Sequence, residues 1–254
     1  RVATGLGLAA LVTLLVPALL LAGSVLAGST NTVDLAHALA GPSSAHLLGT
    51  DTLGRDVLAR VLVGYRQTLL IALAGLALAA VVGVAWGALA VLVARVLPRA
   101  GGPIAEVILG PGRLVMVAPL LLAGIALIGA ARWPVALALA VLLAPRIATA
   151  VNDLVGPQPP APAAAIRTAG GVLLTAWGVM MAVLVGLQLL GIGTAPPAPT
   201  PGQILADAFA YLTVNGQAAQ VAAVTLAGIA PFLLAGWALL RHPRQAEALP
   251  TLNT

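Results

Sequence analysis

The chain has 254 residues, 61% of them hydrophobic and 7% charged, against about 25% charged in an ordinary soluble domain. With a mean hydropathy of +1.08, it lacks the polar groups that a water-facing surface needs, which excludes a soluble globular fold and points to an all-α integral membrane protein. The formal charge of +5 comes from 12 arginines, with no lysine, against 7 acidic residues. These arginines stand singly or in pairs at the edges of apolar runs, not clustered as nucleic-acid binding requires.

A helix that crosses the hydrocarbon core needs about 20 mostly apolar residues. Uncharged runs of that kind, bounded by arginines or turn residues, predict six transmembrane spans in chain order: 6–27, 67–94, 114–131, 133–151, 172–190 and 221–240. The first is too long an apolar run for a signal peptide. Because the chain opens at Arg1, some native N-terminal residues are expected to precede it. The Gly110, Pro111, Gly112 sequence is expected to end any helix arriving from Ile104 and so to set the start of the third span. The third and fourth form a hairpin turning at Arg132, and the fourth carries Pro145 and Arg146 near its end.

Arginine placement sets the orientation. With the N-terminus inside, Arg1, Arg95, Arg99, Arg113, Arg146, Arg167, Arg241 and Arg244 fall on the cytoplasmic side, and Arg55, Arg60, Arg66 and Arg132 outside. The expected topology is therefore N-in and C-in. The stretches 28–66 and 191–220 then lie outside and 152–171 inside, where Pro157, Pro159, Pro160 and Pro162 rule out one regular helix. Gly83 and Gly87, with Gly75 and Ala79, form a small-residue stripe that lets helix backbones approach closely. No internal repeat is visible, and residues 1–254 read as one transmembrane domain.

Few chemical groups are available. The absence of cysteine excludes disulfides and thiolate chemistry in this chain, and the absence of lysine excludes a phosphate-binding Walker A motif. Ionisable residues are nearly missing from the spans, which argues against a proton-coupled carrier. His37, His46 and His242 lie outside the spans without acidic partners at a metal-ligand spacing, and are expected to be solvated. Ser43 and Ser44 lack a nucleophile-elbow context. These observations exclude an enzyme with its own catalytic set, and no metal site or resident cofactor is expected.

The first polar loop is richer. Residues 46–66 read as a turn followed by a short amphipathic helix resting on the bilayer. Asp51 or Thr52 is expected to cap it. Leu53, Val57, Leu58, Val61 and Leu62 share one face, and Asp56 and Arg60 are spaced as an i,i+4 ion pair on another.

The same run, "HLLGTDTLGRDVLARVLVGYRQTLL", resembles the segment leading into the second helix of permeases of the dipeptide, oligopeptide and nickel class of ABC importers. His46, Leu48, Gly49, Thr50, Asp51, Leu53, Gly54, Arg55, Asp56, Val57 and Arg60 match the pattern H-x-L-G-T-D-x-L-G-R-D-V-x-x-R. A second stretch, 189–212, is similar to the family's outer segment between helices five and six, with Pro196, Pro197, Gly202, Gln203 and Tyr211 among the matching positions. The resemblance implies a six-helix ABC importer permease bundle of the second-permease type in the cell (inner or plasma) membrane.

It further implies that this chain forms half of a translocation pathway, most simply for di- or oligopeptides. Its partners would be a second permease subunit, two ATPase subunits or domains that bind ATP and magnesium, an extracytoplasmic substrate-binding protein and membrane lipid. Choice among peptide, nickel and larger chelate cargo would rest mainly with the binding protein.

One segment departs from the family. Its permeases carry between helices four and five a coupling helix near E-A-A-x-x-x-G followed by leucine-proline, which docks on the ATPase. The counterpart here is Ala164, Ala165, Ile166, Arg167, Thr168, Ala169, Gly170, with the acid replaced by alanine and the leucine-proline missing. By resemblance, about twenty residues between Gly170 and Leu187 are also absent. An alternative reading is therefore a degenerate scaffold subunit that packs on an active permease.

Overall fold

The computed structural model describes residues 17–18, 21–25, 31–97, 99–114, 135–156, 159–192, 199–210 and 217–241. Every regular element among them is helical: a 3-10 turn at Leu35–His37, then α1 (Val57–Val96), α2 (Gly101–Leu114), α3 (Val135–Val155), α4 (Pro162–Leu189), α5 (Pro201–Ala210) and α6 (Gln217–Arg241). Four of these helices, α1, α3, α4 and α6, are long and apolar enough to cross a membrane. They hold the spans expected at 67–94 and 221–240 and, of those expected at 133–151 and 172–190, residues 135–151 and 172–189. Of the span expected at 6–27, residues 17–18 and 21–25 are helical and the rest lies outside the described residues, as does all but the first residue of 114–131.

Three boundaries differ from the sequence reading. The amphipathic piece ahead of the second span is not a separate helix, because α1 is one element of 40 residues, about 60 Å at 1.5 Å per residue. Its buried positions Val57, Val61, Tyr65, Leu69 and Ala72 keep helical spacing straight across Arg66, so no change of face forces a break there. The Gly110, Pro111, Gly112 sequence does not end a helix either, since α2 continues to Leu114. Ahead of it Ala105 and Leu109 pack with Ala90 of α1 and Ala148 of α3, and that burial outweighs the local propensity cost. Finally, α3 runs through Pro145 to Val155 and α4 starts at Pro162, so helix takes up 152–155 and 162–171 of the expected inner loop of 152–171.

Contacts divide the chain into one unit of 1–12, 74–179 and 232–254 and another of 13–73 and 180–231. In the first, the glycine stripe of α1 finds its partner within the chain. A Cβ on Gly83 would lie 2.7 Å from the Ala144 carbonyl oxygen, and one on Gly87 would lie 2.6 Å from that of Ala148. The two backbones are therefore in direct contact, as small-residue interfaces in membranes allow. Trp86 donates its indole N–H to the Ile108 carbonyl at 3.0 Å, tying α1 to α2. Arg95 donates to the Val155 carbonyl at 3.0 Å, which satisfies an orphan acceptor at the C-terminus of α3. On the α4 side, Gly171 and Gly178 seat Leu240 and Leu233 of α6, and the rings of Trp177 and Phe232 meet at 4.8 Å.

Candidate functional site

In the second unit the loop of residues 31–56 closes around one carboxylate. Asp51 Oδ1 accepts the backbone N–H groups of Leu53 at 2.9 Å and Arg55 at 3.0 Å. Its Oδ2 accepts Arg55 Nε at 2.7 Å and Arg60 Nη1 at 2.6 Å. The Asp51 carbonyl takes the N–H groups of Leu39 and Gly54, and its own N–H goes to the Arg55 carbonyl, each at 3.0 Å. Thr50, fully buried, accepts the Ala40 N–H at 2.9 Å and donates to the His37 carbonyl. The loop is thereby stitched to the head of α1 through Arg60.

The glycines of the motif have a backbone reason. Gly49 and Gly54 take φ of +73° and +72°, the left-handed region where a side chain is costly. A Cβ on Gly54 would also collide with the Asp34 carbonyl. The Gly49 carbonyl accepts the Val57 N–H at 3.1 Å, so this turn sets where α1 begins.

Three local expectations change. The cap of α1 is Asp56, whose Oδ1 accepts the Ala59 N–H at 2.8 Å; Asp51 and Thr52 lie too far upstream because the chain turns twice before the helix starts. The Asp56–Arg60 pair is not formed, since Arg60 reaches Asp51 instead, and Asp56 takes His46 Nδ1 at 2.8 Å. His46 is thus partnered, and His37 meets Asp34 at 2.7 Å, while His242 lies outside the described residues. Among the described residues no group of three or more side chains is placed to hold a metal.

The electrostatics follow the geometry. Burial pushes the Asp51 carboxyl up, but the N–H groups of Arg55 and Leu53, the Arg55 side chain and the Arg60 charge outweigh it, so the net shift is below the usual value of 3.8. Asp34 is also lowered, chiefly by its hydrogen bond with His37. On α5, Asp207 is raised by lost hydration, with the Arg60 charge opposing. Arg60 therefore lies in the field of both the loop and the short helix.

The second motif forms the start of α5. Gly202 is buried and Gln203 half-buried on its first turn, while Pro196, Pro197 and Tyr211 lie outside the described residues. Thr200 Oγ1 accepts the Gln203 N–H at 3.3 Å. Two membrane helices supply partners that the motif does not contain. Gln188 of α4 donates Nε2 to Thr68 Oγ1 of α1 at 3.1 Å and accepts the Gly202 N–H at 3.4 Å. Tyr65 of α1 donates to the Thr225 carbonyl of α6, its ring lying over Gly228. Interhelical polar contacts of this kind in membranes contribute about 0.6–2 kcal/mol each. The signal available for Gln188 and Thr68 was their polarity inside apolar runs.

The counterpart of the coupling segment forms the first two turns of α4, continuous with the span. Ala164, Ala165 and Gly170 are half-buried. Arg167 is only 9% exposed, and its Nε has no hydrogen-bond partner. The outward side chain is Ile166, at 63% exposure.

No protein-family model matches the chain. A probable D,D-dipeptide transport system permease protein, DdpC, of Escherichia coli (strain K12) is 46% identical over 59 residues, which make up 23% of this chain and 20% of that protein. With four helices able to cross a membrane, this similarity marks the chain as a multi-pass membrane protein with a permease-like segment.

Proposed function

We propose that the chain is a permease subunit of an ATP-driven importer, most simply of di- or oligopeptides, with six spans and both termini in the cytoplasm of a cell whose inner or plasma membrane holds it. The observation that carries this reading is the 46% identity to a dipeptide transport permease. The Asp51-centred loop supports it, because the residues of the H-x-L-G-T-D-x-L-G-R-D-V-x-x-R pattern serve one folded purpose: they close the loop and fasten it to α1. In this reading the loop and α5 face the outside, where a binding protein would deliver substrate. A second permease chain completes the pathway, and ATPase partners bind ATP and magnesium and bias the bundle between two openings.

The scaffold reading is favoured by a different observation. A segment that docks on an ATPase through charge needs an exposed ion, whereas Arg167 is buried and α4 passes without a break from that segment into the span. Affinity purification of the tagged chain from its native membrane tests both. The permease reading expects a second permease and ATPase subunits to co-purify, with ATP hydrolysis only in the assembled complex. Crosslinking separates the readings: a bifunctional reagent at Ile166→Cys joins this chain to an ATPase in the permease reading and to no ATPase in the scaffold reading.

A further inference from the structure

Helix α5 has ten residues, and helices shorter than about 12–15 residues are marginal on their own, so something outside it must hold it. Its opening is buried: Thr200 is 1% exposed, and Pro201, Gly202 and Ile204 are inside. Two glycines permit that depth. A Cβ on Gly64 of α1 would lie 3.0 Å from the Pro199 carbonyl oxygen, the Thr200 Cα and the Pro201 Cδ, and one on Gly202 would lie 2.6 Å from Gln188 Cβ and the Leu189 nitrogen.

At the bottom of this seat runs a polar chain. Thr68 Oγ1 donates to the Gly64 carbonyl at 3.0 Å and accepts Gln188 Nε2 at 3.1 Å, and Gln188 Oε1 accepts the Gly202 N–H at 3.4 Å. Gly202 N–H is one of the first-turn donors that a helix cannot satisfy internally, and Gln188, 4% exposed, caps it from another helix. The first turn of α5 is thus bonded through one amide side chain to both α1 and α4. The loop motif is fastened to the same helix α1 by Arg60, which donates to Asp51 at 2.6 Å.

We infer that Gln188 is a positioning residue that fastens α5 to α1 and α4, so that the short helix and the loop motif move as one body instead of α5 swinging as a free lid. The transport consequence rests on the permease reading; the fastening does not. In the full-length chain in lipid nanodiscs, Gln188→Leu and Thr68→Val should each speed amide exchange across 200–210 by about 2- to 10-fold, the loss of one net hydrogen bond, while exchange at 57–65 stays as in the parent. Thr68→Ser, which keeps the hydroxyl, should restore parental exchange. In the assembled transporter, Gln188→Leu should lower the maximal uptake rate with little change in KM.

Parental exchange across 200–210 in both Gln188→Leu and Thr68→Val would overturn the fastening, whatever uptake does. Faster exchange with unchanged uptake would overturn its role in transport. Absence of ATP-driven uptake in the parent would remove the permease reading and leave the exchange result to decide the fastening.

Discussion

Arg60 donates to Asp51 at 2.6 Å, nine positions back along the chain, and bypasses Asp56, which lies one helical turn before it. Arg60 is 9% and Asp51 15% exposed at the side chain. The pair therefore acts as an internal tie between a loop and the head of a 40-residue helix, not as a solvated surface contact. Removing Asp51 would strand the buried Arg60 charge, a loss of about 3–5 kcal/mol.

Asp51→Asn tests that tie with little change of shape. The amide would keep one acceptor for the Leu53 and Arg55 N–H groups but turn a donor toward Arg55 Nε and Arg60. The loop of 39–56 should lose protease protection in the full chain, while the spans keep their helicity by circular dichroism. Undiminished protection would show that the loop is held by something other than this carboxylate.

Two glycines with the same backbone conformation should respond differently. Gly54 and Gly191 have φ of +72° and +75°, so alanine costs about 1–2 kcal/mol at either from the backbone alone. At Gly54 a Cβ also strikes the Asp34 carbonyl, whereas at Gly191 nothing lies within 4 Å. Gly54→Ala should therefore lower the thermal midpoint in detergent clearly more than Gly191→Ala, and equal shifts would contradict the close approach.

Legibility in the sequence tracked the range of the interaction. Apolar run lengths coincide with the four described helices that are long and apolar enough to cross a membrane, because crossing a bilayer is a local requirement on composition. The stripe of Gly83 and Gly87 announced close packing but not its partner α3, since small residues carry no address. Ion pairing is hidden for a related reason: spacing offers Arg60 an acid four residues back, and only the folding of the Gly49 and Gly54 turns brings Asp51 nearer. Gln188 reads in sequence as one tolerated polar residue near a span end, and its partners Thr68 and Gly202 become visible only when three helices are in place.

The acid limit of the loop follows from Asp51. Its folded pKa is depressed below 3.8, so the stability it lends is present in full above the unfolded value and is lost as pH falls through the folded one. Asp207 has the opposite sign: its folded pKa is raised above 3.8, so what it lends below that value is lost as pH rises through the folded pKa. Protease protection of 39–56, followed from about pH 6 down to about pH 2, should collapse below pH 3.8 in the parent. That acid step should vanish in Asp51→Asn and persist in Asp207→Asn.

Helix packing in the first unit makes a further distinction. Gly83→Val and Gly87→Val would push side chains into the α3 backbone, an overpacking cost of about 1–3 kcal/mol each. Gly102→Ala and Gly110→Ala meet nothing within 4 Å and should leave the thermal midpoint unchanged. A reversed order would place the α1–α3 contact elsewhere.

The proposed role, a working half of an ATP-driven import pathway, requires vectorial uptake. Proteoliposomes would hold the purified complex, with ATP on the ATPase side and the binding protein with a labelled di- or oligopeptide on the other. Accumulation should need ATP and the binding protein, and should stop when Ile166→Asp disrupts the outward face of the α4 start without loss of complex yield. Accumulation that persists at the parental rate in that variant, or that runs on a proton gradient without ATP, would contradict it.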